Sequence, residues 1–414
     1  MTLTASAIDD GLTVVTESMA EARSVTMGFW VGTGSVDETG SLWGASHFLE
    51  HLLFKGTSGR SARSIAEAVD AVGGDMNAFT TREYTAFYVR LLADQLDLGL
   101  DILSDILWSP AFRPDELESE RQVILEEILM HNDEPADLVH DVLAAALWPD
   151  HPLGREVLGE EETISAMTRE QIADFHHRHY RPGNMVFAAA GALRHEQVTD
   201  GLTGRLQGVT GGATPPRTAP VTGDGRPVVV TRPTEQAHVA VGMPAIGRHD
   251  DRRYVMSILD HVLGGGMSSR LFQQIREERG LAYSVYSYKS SYDGAGALAV
   301  YAGTSPSNVP EVLDLVHAEL DAMAAKGITE AELASARGHV RGSLVLGLED
   351  SGARMSRIGH GQLNHGRVTP LDEVEAGYAA ITVDDVAALA SEVLGSPRTV
   401  AVIGPFDDDE IARR

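Results

Sequence analysis

Repetition within the 414-residue chain is the feature that most constrains its fold. Phe48-Leu49-Glu50-His51-Leu52-Leu53 returns as Ile258-Leu259-Asp260-His261-Val262-Leu263, and the pattern Glu-Leu-x-Ser-x-Arg at Glu116–Arg121 returns at Glu332–Arg337. The offsets, 210 and 216 residues, keep the same order. They describe one unit of about 200 residues present twice. A chain of this length is too long for one ordinary core and long enough for two. Between Gly208 and Pro227 the residues GVTGGATPPRTAPVTGDGRP have neither helical nor strand period, which is linker chemistry. The expected organisation is a first domain over 1–207, a linker over 208–227 and a second, homologous domain over 228–414.

Both halves mix strand and helix patterns. MGFWVGTGSV and YTAFYVRLL in the first half, and VVVTRP, AHVAVGMP and GALAVYAG in the second, predict strands. Helical spacing predicts helices near 64–72, 92–107 and 114–129, then at 254–263, 270–278, 309–325 and 330–348. The expected class is α+β, a tandem pair of units in each of which a mixed or antiparallel sheet is packed by helices. The N-terminal MTLTASAIDDGLTVVTE has no basic region, apolar stretch or cleavage site of a signal peptide and is expected to be a first strand. No apolar run approaches the roughly 20 residues that span a bilayer, so the expected setting is the cytoplasm, with no membrane partner.

Composition narrows the chemistry. With no cysteine, disulfides, thiolate metal sites and a cysteine nucleophile are excluded, so any metal must be held by His, Asp or Glu. Lys plus Arg number 33 against 60 Asp plus Glu, and the net charge of −27 disfavours nucleic acid and anionic membranes as partners. Divalent cations and basic peptides are easier guests.

The sharpest local signal is His47-Phe48-Leu49-Glu50-His51 inside the helix-favouring stretch 45–54. Two histidines four apart are separated by about 40° around a helix and one turn along it, so both imidazoles can reach one ion. Glu50 lies about 60° from His47 on the other side, beside the ion. The order is His-x-x-Glu-His, the inverse of the common zinc-peptidase motif. A catalytic zinc usually keeps three protein ligands. Seven residues bring a helix back to within about 20°, so Glu120 and Glu127 share a face while Glu126 points about 100° away. Glu127 can supply the third ligand while Glu120 orients it or His51, and Glu126 is expected to be a surface residue. In Gly73-Gly74-Asp75-Met76-Asn77-Ala78-Phe79-Thr80, two glycines lead into an alternating stretch expected to be an edge strand open to an extended peptide. The histidines of FHHRHYRP point in different directions on a helix and are not expected to bind metal. Gly264-Gly265-Gly266 lacks the Gly-Lys-Ser/Thr ending of a phosphate loop.

These motifs, together with ERQVILEEI, YRPGNM and SSRLFQQIREERGLAYSV in the same order, resemble the pitrilysin/insulinase family of inverted zinc peptidases. The likeness is greatest to its small bacterial members, which are similar to the catalytic subunit of mitochondrial processing peptidase. The resemblance covers nearly the whole chain. It implies one Zn²⁺ per chain held by His47, His51 and Glu127, Glu50 as general base, and Glu120 as a supporting carboxylate. It implies that Asn77, Ala78 and Phe79 contact substrate. Arg276 and Tyr283, at the spacing the family uses, would grip the substrate backbone and the developing oxyanion. The second half has Ser257, Ala336 and Ser343 opposite His47, Glu120 and Glu127, so only the first half can hold the ion. The family also implies that the chain is half of a closed chamber, completed as a homodimer or with a paralogous chain, and that it hydrolyses short or unfolded peptides. The alternative is a non-catalytic scaffold subunit of a heteromeric processing peptidase.

Overall fold

A computed structural model of the chain describes residues 2–8, 11–206 and 209–407. Gln207 and Gly208, where the expected first domain meets the linker, lie outside the described residues, as do Met1 and 408–414 at the ends of the expected domains. One compact unit comprises Met1–Leu129, Glu156–Pro216 and Val345–Thr369, the other Met130–Arg155, Arg217–Leu344 and Pro370–Arg414. This refines the sequential split: one division falls at Pro216/Arg217, inside 208–227, but each half of the chain also lends one segment to the other unit.

In chain order the first half forms β1 (Thr2–Ala7), β2 (Thr13–Ser18), β3 (Ser24–Val31), α1 (Ala45–Leu53), α2 (Ala62–Asp70), β4 (Asp75–Thr80), β5 (Thr85–Leu92), α3 (Leu96–Trp108), α4 (Pro114–Asp133), α5 (Pro135–Leu147), α6 (Glu161–Ala166), α7 (Arg169–His179), β6 (Met185–Gly191) and α8 (His195–Thr203). The second half forms β7 (Val228–Thr231), β8 (Ala237–Ala245), α9 (Arg253–Leu263), β9 (Ala282–Ser291), β10 (Gly296–Thr304), α10 (Val309–Lys326), α11 (Glu330–Gly347), α12 (Ser351–His365), α13 (Leu371–Ala380), α14 (Val383–Leu394) and β11 (Thr399–Gly404). The N-terminal segment expected to be one strand is two antiparallel strands, β1 and β2. The helix expected over 270–278 is helical over 270–277, with a π-helical stretch at Phe272–Glu277. Leu92 ends β5 instead of opening a helix.

The first sheet runs β1-β2-β6-β3-β5-β4, with β2 and β6 parallel and the other pairs antiparallel. The second runs β7-β11-β8-β10-β9, with β7 and β11 parallel and the rest antiparallel. Without β1, the two orders and senses are the same. The repeat in the sequence is therefore a repeat of topology, in which β4 and β9 are equivalent edge strands. Among the described residues no helix is long and apolar enough to cross a membrane.

One face of the first sheet packs on a core that includes Phe29, Phe48, Phe87 and Phe187. Its other face is covered by α12, which buries Met355 and Ile358 over Val15, Trp30, Val186, Ala188 and Ala190. A Cβ at Gly359 would collide with the Trp30 indole, so glycine lets the helix settle there. In the second unit α5 packs on β8 and β11, and Leu143 and Leu147 lie over Gly242. With both faces covered, β3, β6, β8 and β10 read as nearly continuous apolar runs.

Candidate metal centre

α1 is amphipathic in the way its sequence requires. Phe48, Leu49, Leu52 and Leu53 are buried, while His47, Glu50 and His51 are half-buried on the opposite face. α4 buries Leu117, Ile124 and Ile128, and Arg121 pins it in place by donating to the carbonyls of Ile164 and Met167. The same guanidinium lies 5.5 Å from the centre of the Phe48 ring, tying α4 to α1.

This packing brings the expected ligands together. Donor atoms of His47, His51 and Glu127 lie within 4.8 Å of one another. Glu127 Oε2 is 3.8 Å from His47 Nε2 and 3.6 Å from His51 Nε2. Donors on a tetrahedral zinc, about 2.0–2.1 Å from the ion, stand about 3.3 Å apart, so the set fits an ion with little adjustment. Glu127 Oε2 is buried with no hydrogen-bond partner, a cost that a cation between the three donors removes. Glu126 is exposed, as expected.

The surroundings fix the protons. Glu120, 4% exposed, accepts from His51 Nδ1 over 3.1 Å, which leaves the Nε2 lone pair free to face the ligand set. Its other oxygen accepts from Lys55 Nζ over 2.7 Å. Burial lowers the His47 imidazole to about 4, with the neighbouring His51 acting the same way, so it is neutral and able to ligate at neutral pH. Glu50 accepts from Thr80 Oγ1 over 2.6 Å. Burial raises the Glu50 carboxyl, the Thr80 bond opposes that, and Glu127 adds to the rise. A carboxyl moved upward in this way suits a proton acceptor that must also release its proton.

Asn77, Ala78 and Phe79 sit on β4, the edge strand of the first sheet, and Thr80 at its end is the residue that bonds Glu50. The edge strand and the base are thus joined directly. In the second unit Arg276 stacks over the Tyr283 ring at 4.7 Å and over Phe272 at 4.8 Å, and Tyr283 is 80% exposed. Ser257 and Ser343 stand on α9 and α11, and Ala336 is fully buried.

Three residues around the site escaped the sequence reading. Lys55 and Thr80 were within the recognised motifs but gave no sign of their partners. Glu38, 2% exposed, accepts from the backbone N–H of Gly44 and of Ser46, each over 2.7 Å, and so caps the start of α1. Burial pushes its carboxyl up to about 8, against the pull of those two N–H groups. An acid six residues ahead of a glycine carries no recognisable capping signature, because the loop between them can take many paths.

Residues 13–161 match the family model of the insulinase peptidases, M16, and residues 166–338 match that of the M16 inactive domain. The chain belongs to the M16 insulinase family. An uncharacterized zinc protease of Streptomyces coelicolor is 46% identical over 411 residues, covering 97% of this chain and 90% of that one. An uncharacterized zinc protease of Bacillus subtilis is 38% identical over 402 residues, with 96% and 97% covered. In fold, a crystal structure of an M16 inactive domain from Pseudomonas fluorescens superposes with a TM-score of 0.93 at 21% identity, covering 98% of each chain. A protease from Helicobacter pylori does so with a TM-score of 0.92 at 22% identity, covering 98% and 99%. The match to the M16 inactive domain, over residues 166–338, includes Ser257 and Ala336.

Proposed function

We propose that the chain is a zinc-dependent metalloendopeptidase acting on short or unfolded peptides, with its site in the first unit. The observation that carries this reading is Glu127 Oε2, buried without a hydrogen-bond partner between two histidine nitrogens, with Glu50 beside them on the same helix. His47, His51 and Glu127 would hold the ion. When bound, zinc supplies Lewis acidity and lowers the pKa of water. Glu50 takes the proton of the attacking water and passes it to the leaving amine, while Thr80 holds its Oε2 in place. β4 offers the unpaired backbone groups of a sheet edge to an extended peptide, which aligns the peptide with the base at the end of that strand.

Tyr283 has a hydroxyl to donate to a developing oxyanion, and Arg276 stacked on its ring supplies a second donor. In our reading this pair serves the site of a partner subunit, so the working form is a homodimer or a pair with a paralogous chain. The acidic balance of the chain favours basic peptide segments.

Metal analysis combined with cleavage of a quenched basic peptide tests the reading. The wild type is expected to hold zinc and cleave; Glu50→Gln is expected to keep the metal and lose roughly 10²–10⁴-fold in kcat. Full activity in Glu50→Gln would remove the mechanism, and a wild type without metal would favour the non-catalytic subunit. Mixed Glu50→Gln and Tyr283→Phe subunits should regain activity only if the two residues act in trans.

A further inference from the structure

Thr80 Oγ1 donates to Glu50 Oε2 over 2.6 Å in the first unit, and Ser287 Oγ donates to Asp260 Oδ1 over 2.6 Å in the second. Asp260 stands 210 residues after Glu50, and Ser287 lies on β9, the topological equivalent of β4. This link from edge strand to helix therefore belongs to the repeated unit. The rest of the ligand frame is also kept. Ser257 and Ser343 occupy the positions of His47 and Glu127, and His261 that of His51. Ser343 Oγ lies 3.4 Å from His339 Nε2, and the His339 ring stacks on His261 at 4.1 Å, so α11 faces α9 as α4 faces α1. Short hydroxyls stand where the first unit has donors. Into this frame β9 sends Lys289, whose Nζ donates to Ser257 Oγ over 2.7 Å. Burial raises the Asp260 carboxyl and lowers the Lys289 ammonium, and the attraction between the two opposes both shifts.

We propose that the second unit is a latent metal site whose cation has been replaced by a tethered one, the Lys289 ammonium, so that this unit neither needs nor admits a divalent ion. The inference rests on the metal reading of the first unit. An ammonium beside Ser257 repels an incoming divalent cation while it balances Asp260. Restoring two donors should then be insufficient by itself; the lysine must also be removed.

Cobalt(II) titration, followed by its visible absorption and by metal analysis after dialysis, tests this. Wild type is expected to take one equivalent and Ser257→His/Ser343→Glu/Lys289→Thr two. Ser257→His/Ser343→Glu with Lys289 retained should bind the second ion about 100-fold more weakly than the triple variant. Equal second-site affinity with and without Lys289 would overturn the proposal, as would a folded triple variant that takes no second ion. Repeating the titration with His47→Ala/His51→Ala added reads the second site alone, so failure of the first-unit reading is seen separately, as a wild type that binds no ion. Hydrogen exchange tests the native role without new ligands. Chelation should loosen α1 and α4 but not α9 or β9, whereas Lys289→Met should speed exchange in α9 and β9 about threefold, and Asp260→Asn should reverse that effect. Unchanged exchange in Lys289→Met would also overturn it.

Discussion

Glu120 accepts from His51 with one oxygen and from Lys55 with the other, so the His51 ring is oriented by a carboxylate that Lys55 in turn holds. Glu120→Gln is expected to lower zinc affinity by roughly 10–100-fold, and Lys55→Met by less, in competition with a chromogenic chelator. Thr80→Val should lower kcat about tenfold with metal content unchanged, and Thr80→Ser should retain most activity, because only the hydroxyl bond to Glu50 is at stake. A separate titration belongs to His176, whose Nε2 donates to the Leu107 carbonyl over 2.9 Å. Burial lowers this imidazole to about 4. Its neutral form therefore contributes stability that is present above pH ~6.5 and is lost as pH falls toward 4, roughly 3 kcal/mol in all. His176→Gln keeps a neutral donor, so thermal midpoints measured between pH 6.5 and 4 should fall less steeply than those of the wild type.

The position of α1 depends on a cap that its own sequence does not provide. Its N-cap is Gly44, with φ 91° and no side chain to accept the free N–H groups, and Glu38 takes that part from six residues upstream. Glu38→Ala leaves buried N–H groups unpaired and should cost about 2 kcal/mol, with metal affinity falling as His47 and His51 lose their alignment. Gly44→Ala should cost roughly 2–4 kcal/mol in thermal unfolding, because a side chain would be strained at that φ and its Cβ would lie 2.6 Å from Ile164 Cδ1. At this scale much was legible. Helical period placed His47, Glu50 and His51 on one face and Glu120 with Glu127 on another, and alternation after two glycines marked β4. The Glu38 cap and the Thr80 bond were not legible, since both join residues whose separation along the chain says nothing of their separation in space.

Each unit is completed by a segment from the other half of the chain. α12 covers the apolar face of the first sheet, and the pair of Arg354 with Glu17, 7% and 8% exposed, fastens it to β2. A fragment ending at Pro216 would leave Trp30, Val186 and Ala190 uncovered. It is expected to bind a hydrophobic dye, to resist proteolysis poorly and to hold zinc weakly, and the full chain is expected to do none of these. In the full chain, Arg354→Ala should cost about 3 kcal/mol, because Glu17 would be left as a buried charge without its partner. By itself the sequence determined the duplication, the α+β class, the helical faces that present His47, His51, Glu50 and Glu127, and the lack of ligands at Ser257, Ala336 and Ser343. The class and the helical faces follow from periodicities and side-chain chemistry that act within a turn or two of the chain, and the duplication and the missing ligands from comparing residues 210 and 216 apart. Only the tertiary structure decided that α5 and α12 change places between the units, that Glu38 and Lys55 support the site, and that Lys289 stands beside Ser257. Those contacts form between segments far apart in the chain, where burial and charge choose the partner and no local pattern records the choice.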